Sequence, residues 1–449
     1  MNKRLPVLTV LLLAFVLGGC ASQARFPENP PLTRYQPAVA AGAQEHDDTL
    51  LVLTFSGGGS RAAALAYGVL KELSTKRVRE RRLLDEVDMI SAVSGGSITA
   101  AYYGLYGDRL FTDFRARFLE WDVESDLKLA MISNLSRLSS VTFGSGDMLD
   151  EYFRLHLFGD APLTALIDDQ GPFVEINATD LFKGSRFGFS PAQFALICSD
   201  TNGFPVARAV AASCAVPILF SPVTLANRAG SCGYTPPIWL KQALGESGSN
   251  DRRYRAARRI SRYLDSSTSP YIHLLDGGIS DNLGLRAVLD RIIANGDLLN
   301  TLKRFNKDKA RHIVLIIVDA SSRPPSKWEK SDSAPPDSVV LDAATTAPLA
   351  NYNFESVEYV RSNLYHWMGR IRETRCNGNR NCLNPDFHLI QLRIEDIAEP
   401  VLRESLAAVP TGFTLPPETV DALIKSGGQL LRDHPEFRRW MKAANRSPP

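Results

Sequence analysis

The chain has 449 residues, 44% of them apolar and 22% charged, a composition ordinary for a soluble globular protein. Its 51 basic and 49 acidic residues give a net charge of +2, whereas a nucleic-acid-binding protein shows a clear and clustered basic excess. No apolar run reaches the ~18–20 residues that a membrane-spanning helix needs, and no internal repeat is visible. Length alone would allow two or three domains.

The amino-terminal segment has the pattern of an export signal. A basic pair precedes an apolar run from Leu5 to Leu17, which is too short to span a bilayer but fits the core of a signal peptide. The run ends at Leu17-Gly-Gly-Cys20, which resembles the lipobox of bacterial lipoproteins. An ordinary secretory signal with an incidental cysteine is the alternative. We therefore predict a lipoprotein signal peptide at 1–19 and a lipidated flexible tether at 20–47.

The first predicted strand leads into a glycine-rich loop. Leu50 to Phe55 is fully apolar, as in a strand buried within a parallel sheet, and an alanine-rich helix follows from Ala62 to about Ser74. Between them, Gly57, Gly58 and Gly59 allow the backbone to turn its N–H groups outward, which suits an oxyanion. The loop also fits the G-x-G-x-x-G/A pattern of dinucleotide sites, but the acidic residue expected after the next strand is missing.

That next strand ends at a serine. The apolar run from Val87 to Val93 stops at Ser94-Gly-Gly96, and small, helix-compatible residues follow. A serine on such a turn projects at a helix N-terminus, as in the G-x-S-x-G nucleophile elbow. Ala92 occupies the first glycine position and Gly96 the second. A plain strand-to-helix link is the alternative interpretation.

A helical stretch comes next, and its apolar residues recur at helical spacing. They are Phe111, Phe114, Phe118 and Trp121, followed by Leu127, Met131, Leu135 and Leu138. We interpret them as a core-facing stripe, with a lid or acyl-chain channel above Ser94 as the alternative. Further on, the arginine-rich stretch from Arg252 to Arg262 is interpreted as a solvated helix face, with contact to anionic headgroups as the alternative.

An aspartate follows a later strand. Tyr271 to Leu275 is strand-like and ends at Asp276-Gly277-Gly278, where the two glycines permit a sharp turn. The glycine loop, the serine and this aspartate thus all follow the carboxyl ends of strands, where open α/β sheets place their ligand crevice. Asp281 suits the N-cap of the next helix.

The remaining segments favour one domain. Asp386 to Ile394 alternates like a strand and needs a sheet to join, so we predict one domain at 48–440 with an inserted loop at about 321–338 and a tail at 441–449. Export favours disulfides, and we predict one between Cys376 and Cys382. Cys198, Cys214 and Cys232 leave one thiol over; Cys214 is expected to be a small buried apolar residue. No zinc or other metal is expected.

In this order, Gly57-Gly58-Gly59-x-Arg61, the Ser94 elbow and Asp276-Gly277-Gly278 resemble the motifs of the patatin-like phospholipases. Other segments are similar to the bacterial members: Asn177–Asp180, Ala209–Pro217, Ser280–Gly284 and Val409–Pro417. The resemblance runs from about residue 48 to about residue 437. It implies a three-layer α/β/α fold with a mainly parallel central sheet.

The resemblance also implies a serine lipid acyl hydrolase, with phospholipid or another acyl-ester lipid as substrate and no cofactor. Ser94 would be the nucleophile and Asp276 the general base, in a site desolvated enough to raise the carboxyl pKa. The N–H groups of Gly57 to Gly59 would hold the oxyanion, and Arg61 would brace that loop or add positive charge.

The sequence leaves three alternative hypotheses about the function open. A histidine-based triad would need one of His312, His366, His388 or His434, and none has a local signature; His273 is expected on the face of its strand opposite Asp276. A non-catalytic lipoprotein that binds lipid or protein is the second. A dinucleotide-binding loop is the third. Because Ala21 follows Cys20, the lipoprotein pattern implies a lipid-anchored protein of the bacterial cell envelope, at the outer membrane.

Overall fold

The computed structural model describes residues 24–36, 48–167, 171–245, 251–322, 326–376 and 385–446. The strands are β1 (Thr49–Phe55), β2 (Arg77–Val78), β3 (Arg81–Arg82), β4 (Val87–Val93), β5 (Phe173–Asp180), β6 (Ser185–Phe189), β7 (Val223–Ala226), β8 (Tyr271–Asp276), β9 (His312–Asp319) and β10 (Asp386–Arg393). Short 3-10 turns at Leu83–Glu86, Gly107–Phe111, Leu163–Leu166, Lys327–Lys330 and Ile394–Asp396, and π turns at Arg115–Leu119 and Arg154–Phe158, lie between the longer elements.

The helices of the first half are α1 (Gly59–Thr75), α2 (Gly95–Tyr106), α3 (Val123–Ser133), α4 (Leu135–Leu138), α5 (Ser145–Phe153), α6 (Pro191–Leu196), α7 (Val206–Ser213) and α8 (Ile238–Gly245). Those of the second half are α9 (Arg252–Ser261), α10 (Gly278–Asp281), α11 (Arg286–Asn295), α12 (Leu298–Arg304), α13 (Asp337–Cys376), α14 (Pro400–Ala407), α15 (Pro417–Asp433) and α16 (Pro435–Arg446). Among the described residues, no helix combines the length and apolar character needed to cross a bilayer.

The central sheet has eight strands within the described residues; neighbours in the series β10-β9-β1-β4-β5-β8-β7 are hydrogen-bonded to each other, and β6 pairs with β5. The strands from β10 to β5 are parallel, and β6, β7 and β8 join in antiparallel pairs. Successive residues of β1 point into two different apolar clusters, Leu51 and Leu53 into one and Leu50 and Val52 into the other. Because side chains alternate across a strand, the sheet is covered by helices on both faces. The predicted three-layer α/β/α fold is confirmed.

The strands that end at Ser94 and Asp276 were expected to finish at one common edge of the sheet, and the structure differs from this expectation. Asn177 of β5 pairs with Val93, the last residue of β4, and the next residue, Ala178, pairs with Asp276, the last residue of β8. Both strands lie on the same side of β5, because β6 occupies its other side over Ile176–Asp180. Since β8 is antiparallel, β4 and β8 meet end to end. Ser94 and Asp276 are therefore brought together by opposed strands, and not by strands that end at one common edge.

The carboxyl-terminal part of the chain belongs to the same sheet. β10 pairs in parallel with β9 along its whole length, as the alternating pattern from Asp386 predicted. Helix α15 packs tightly on α1, where a methyl group on Gly427 would lie 2.3 Å from the Leu65 carbonyl oxygen. No helix or strand was predicted for residues 339–385. Helix α13 begins at Asp337, at the end of the predicted loop, and continues for 40 residues to Cys376. Its weak amphipathic pattern and internal Pro348 explain why it was missed.

The prediction of a flexible tether is wrong for residues 24–36, because these residues pack against the domain. The Asn29 side chain is buried and pairs with both the N–H (2.7 Å) and the carbonyl oxygen (3.0 Å) of Ala226 in β7. Farther along, the N–H groups of Leu32 and Tyr35 donate to the carbonyl oxygens of Cys198 and Cys232. The segment is therefore held by hydrogen bonds at several points. Residues 1–23 and 37–47, including Cys20, lie outside the described residues.

Of the three cysteines that the sequence left unpaired, two form a disulfide and one is a free thiol. Cys198 and Cys232 form a disulfide across 34 residues, and Cys214 is free and buried, as expected of a small apolar residue. Cys376 is also disulfide-bonded. Its predicted partner, Cys382, lies outside the described residues, so that pairing stays a prediction.

Removing the disulfide should weaken the domain and release the amino-terminal segment that rests on both of its cysteines. A crosslink that closes a loop of this length is worth about 3–4 kcal/mol in the chain-entropy account. We expect Cys232→Ser to lower the free energy of unfolding in urea by about that amount. The exposed neighbour Ser231, changed to alanine, provides the matched control. An unchanged unfolding midpoint for Cys232→Ser would contradict this assignment.

Candidate active site

Ser94 occupies a strained turn between β4 and α2. Its backbone has φ 48° and ψ −127°, a conformation that non-glycine residues rarely adopt, and its side chain is buried at the N-terminus of α2. Gly95 must be a glycine, because an added Cβ would lie 1.9 Å from the Gly59 carbonyl oxygen. Ala92 is fully buried at the position of the first motif glycine. The geometry is that of a nucleophile elbow.

The end of α7 connects the elbow to the aspartate. Ser213 Oγ accepts a hydrogen bond from the Ser94 N–H at 2.8 Å and donates to the Asn177 carbonyl oxygen at 2.6 Å. The carbonyl oxygens of Ser213 and Ala215 accept from the N–H groups of Gly277 (3.2 Å) and Asp276 (2.9 Å). The sequence did not predict that Ser213 contacts Ser94. The segment Ala209–Pro217 contributed only to the family resemblance. Its one signal was a polar residue in a run of Ala and Val.

Asp276 faces Ser94 in a desolvated position. Its side chain is buried, and burial raises the pKa of its carboxyl group to about 6. Hydrogen bonds from the Ser94 side chain and from the Gly278 N–H, the latter at 2.7 Å, lower the pKa and so limit that rise. A carboxyl group with a pKa near 6 is a better proton acceptor for an alcohol than an ordinary aspartate.

Asp281 is a second buried aspartate close by, and its contacts differ. Its carboxylate accepts from the N–H groups of Leu285 (3.2 Å) and Arg286 (2.7 Å), at the start of α11. Burial raises its pKa to about 7. The N-cap of α11 is Leu285, so Asp281 binds this helix terminus from four residues upstream. Both of its carboxylate oxygens are engaged with backbone donors, and Asp276 is the carboxylate that faces the serine.

The glycine loop lies beside Ser94, and its three N–H groups are not equivalent. A methyl group on Gly57 would sit 3.3 Å from Ser94 Cβ. However, the Gly57 N–H donates to the Asn282 carbonyl oxygen at 2.9 Å, so the expectation that Gly57 donates to an oxyanion is wrong. Within the described residues, the N–H groups of Gly58 and Gly59 donate to no protein acceptor. Gly58 has φ 136°, which glycine alone adopts readily.

Arg61 braces this loop. It is buried, its guanidinium donates to the Val409 carbonyl oxygen, and Ser60 bonds to Gly412 and Phe413 through its N–H and hydroxyl, both at 2.8 Å. Burial lowers the pKa of Arg61 to about 10, and the nearby Asp319 partly offsets that effect. The carboxyl-terminal segment around residues 409–413 therefore holds the glycine loop in place.

An open cleft of about 2970 Å³ lies above these residues, larger than the ~300–1,000 Å³ typical of small-ligand pockets. Polar groups line its floor: Gly58, Arg61, Ser94, Asp276 and Asn282. The side chains that line the cleft also include apolar ones: Leu181, Val216, Ile218, Leu275 and Ile279. Residues of helix α13 also line the cleft. The cleft can take a long apolar chain with a polar group at the serine.

The histidines do not support a triad. Across the described ranges, the residues that shift the pKa of Asp276 include no histidine. His312 and His388 lie with Asp386 in a group whose possible ligand atoms are within 4.8 Å of one another, a geometry compatible with a metal ion. His312 and Asp386 begin β9 and β10, so this group is at the opposite end of the parallel strands from Ser94.

Replacing Asp276 by asparagine should stabilise the protein in a pH-dependent way. The folded-state pKa of about 6 lies above the unfolded value of 3.8, so the wild type loses stability as pH rises between these values. We expect the free energy of unfolding of Asp276→Asn to gain about 2.4 kcal/mol on the wild type between pH 4 and pH 8. Urea unfolding at the two pH values measures this. A difference that does not change with pH would show that the carboxyl is not desolvated.

Comparison with known proteins identifies the family. The model for the patatin-like phospholipases matches residues 53–289, just over half of the chain. An uncharacterised Bacillus subtilis protein, YqhO, is 28% identical over an alignment of 207 residues. The alignment covers 41% of this chain and 65% of that relative.

Among solved structures, human GIVD cytosolic phospholipase A2 with methyl γ-linolenyl fluorophosphonate aligns with a TM-score of 0.44 and 12% identity, over 90% of this chain and 60% of that one. VipD from Legionella pneumophila aligns with a TM-score of 0.34 and 14% identity, over 93% and 71% of the two chains. The chain thus spans less than two thirds of the length of YqhO and of the human phospholipase. From the match at residues 53–289, the chain belongs to the patatin-like phospholipase family.

Proposed function

We propose that this protein is a serine lipid acyl hydrolase, with phospholipase A-like or lysophospholipase-like activity, that works through a Ser94–Asp276 dyad. The observation that carries the proposal is the contact between a serine on a strained elbow and a buried aspartate whose pKa is raised. Membership of the patatin-like phospholipase family supports a lipid ester as the substrate.

The reaction would begin when Ser94 Oγ attacks the ester carbonyl carbon while its proton passes to the Asp276 carboxylate. As the tetrahedral intermediate collapses, the carbon–oxygen ester bond breaks, and protonated Asp276 gives its proton to the leaving alcohol. Asp276 then takes a proton from water, which attacks the acyl-enzyme. The fatty acid leaves, and the proton returns to Ser94.

The N–H groups of Gly58 and Gly59 would stabilise the negative charge that develops on the carbonyl oxygen. They lie on the loop that contacts Ser94, and they donate to no acceptor among the described residues. Fixed backbone donors of this kind do not need to reorganise during the reaction, which is why they are effective. The Arg61 brace keeps the loop in position.

Two alternatives would need neither Ser94 nor Asp276 as reactive groups: a non-catalytic lipid- or protein-binding lipoprotein, and a dinucleotide-binding protein. A serine-reactive fluorophosphonate tests the proposal against both. The hydrolase should become labelled at Ser94, which peptide mass spectrometry locates. Absence of labelling in folded wild-type protein would reject the hydrolase.

The dyad should behave as one unit. Because Asp276 acts only on the Ser94 proton and water, Ser94→Ala, Asp276→Asn and the double variant should each lose activity by orders of magnitude and to a similar final rate. Hydrolysis of a soluble short-chain ester measures this, and Asp281→Asn at the neighbouring helix terminus is the matched control. Near-wild-type turnover by Asp276→Asn would remove Asp276 from the mechanism.

We also propose that Cys20 carries the lipid anchor, in the cell envelope at the outer membrane, on the strength of the Leu17–Cys20 motif and Ala21. A single acyl chain binds a bilayer only marginally, so a stable anchor takes at least two, as a diacylglyceryl cysteine would provide. Wild-type protein should incorporate radiolabelled palmitate in the producing cell, and Cys20→Ala should not. Turnover of a soluble ester should be unaffected. Equal palmitate labelling of both proteins would place the lipid elsewhere.

A further inference from the structure

The segment from α3 to the start of α5 and the turn after α7 expose large apolar side chains that no part of the described structure covers. They are Leu129, Ile132, Leu135, Val141, Ile218 and Leu219, between 65% and 101% exposed. We call this set the docking face. Helix α3 shows the contrast well, since Val123 and Leu127 on its other side are buried. Of the stripe predicted as core, Phe114, Phe118 and Leu127 are buried and Leu135 faces solvent. Leu129, Ile132 and Val141 lie outside that stripe, and a cluster of exposed apolar side chains of this size marks an interaction surface.

Ile218 and Leu219 form the tip of a short apolar projection. The turn from Val216 is closed by a hydrogen bond from the Phe220 N–H to the Val216 carbonyl oxygen (2.9 Å), and Phe220 is buried. Ile218 has φ 76°, an unfavourable conformation for a β-branched residue, and its side chain is 81% exposed. The fold therefore tolerates backbone strain while presenting an isoleucine to solvent. Ile218 also lines the cleft that contains Ser94.

The projection is joined to the part of the face that carries Val141. At its base, the Ser221 N–H donates to Ser145 Oγ at 2.9 Å, and Ser221 Oγ accepts from the Gly146 N–H at 3.0 Å. These contacts are at the start of α5, only a few residues after Val141. The turn at the mouth of the cleft is thus joined directly to the segment that carries Val141.

The amino-terminal segment arrives at the same place. The carbonyl oxygen of Ala24 accepts from Ser140 Oγ (2.6 Å) and Thr142 Oγ1 (2.9 Å), the residues on either side of Val141. Ala24 is the fourth residue after Cys20, and an extended chain advances at most about 14 Å over four residues. A lipid on Cys20 would therefore hold the membrane close to Val141.

We propose that the docking face inserts into the surface of the bilayer that holds the Cys20 anchor, and that a lipid substrate reaches Ser94 from that bilayer past Ile218. The inference rests on the proposed function and anchor. A bilayer is the favoured occupant because the short link from Cys20 to Ala24 ends on this face and the cleft opens beside it. The packed amino-terminal segment then fixes the orientation of the domain, which a long flexible tether would leave free.

Vesicle partitioning tests the face without the anchor. Full-length protein with Cys20→Ala is mixed with vesicles of phosphatidylethanolamine and phosphatidylglycerol, and bound protein is measured by sedimentation. We expect the added changes Ile132→Ser, Val141→Ser and Leu219→Ser to weaken partitioning at least about ten-fold, since each removes apolar surface from the bilayer. The matched control carries Ile238→Ser, Tyr365→Ser and Val401→Ser, which are 75%, 87% and 74% exposed on other helices.

Equal partitioning of the two triple variants, or no binding of the parent protein, would overturn the inference. So would a dimer, measured by light scattering, that dissociates only in the docking-face variant, because the face would then bind a second copy. Hydrolysis of a soluble ester by the parent reports separately on the proposed function. If it is absent while partitioning depends on the face, the function fails and the face stands.

A second measurement does not depend on the triple variant folding. An environment-sensitive fluorophore is attached to Val141→Cys, and in a parallel sample to Val401→Cys, each in the Cys20→Ala background. Vesicles should increase and blue-shift the emission at position 141 and leave position 401 unchanged. The same response at both positions, or at neither, would contradict insertion of this face.

Discussion

The end-to-end meeting of β4 and β8 along β5 is the constraint on which the candidate site depends. Two strands that approach from opposite directions and stop at adjacent residues of a third place their terminal side chains next to each other. Val93 stops opposite Asn177 and Asp276 opposite Ala178, so the following Ser94 must lie beside the aspartate. Any shift in register of either strand would separate the pair and turn the side chains to the wrong face.

Backbone contacts maintain this arrangement where regular pairing ends. Ser213 binds the Ser94 N–H and the Asn177 carbonyl oxygen through one hydroxyl, and its carbonyl oxygen receives the Gly277 N–H. One residue at the end of α7 is thereby in contact with all three strands of the junction. The strained φ of Ser94 persists because these bonds and the close approach of Gly95 to Gly59 fix the turn.

The glycine loop depends in the same way on a distant part of the chain. Its own residues supply flexibility but no fixed shape, and bonds from Ser60 and Arg61 to the segment at 409–413 hold it. The terminal segments of the chain therefore both affect the site: the carboxyl-terminal one supports the loop, and residues 24–36 cover the edge at β7 and lead toward the face beside the cleft. The site is a property of the whole domain.

Local pattern was sufficient for many of these features. Alternation and apolar runs located β1, β4, β8 and β10 within a few residues, and turn chemistry placed Ser94 and Asp276 after strand ends, because these signals depend on near neighbours in the chain. The same reasoning put the N-cap of α11 at Asp281, whereas the structure has it at Leu285, and Asp281 binds the first N–H groups of that helix from four residues upstream. What the sequence by itself determined was thus the three-layer fold and the candidate residues.

Only the tertiary structure decided how those residues are used. The antiparallel direction of β8, the loss of the Gly57 N–H to Asn282 and the contact of Ser213 with the elbow all involve residues far apart in sequence, which no local pattern encodes. The raised pKa of Asp276 needs the burial that the assembled layers create. Whether an apolar helical residue such as Leu127 or Leu135 is core or surface depends likewise on which neighbours cover it, and this is settled only when the layers pack.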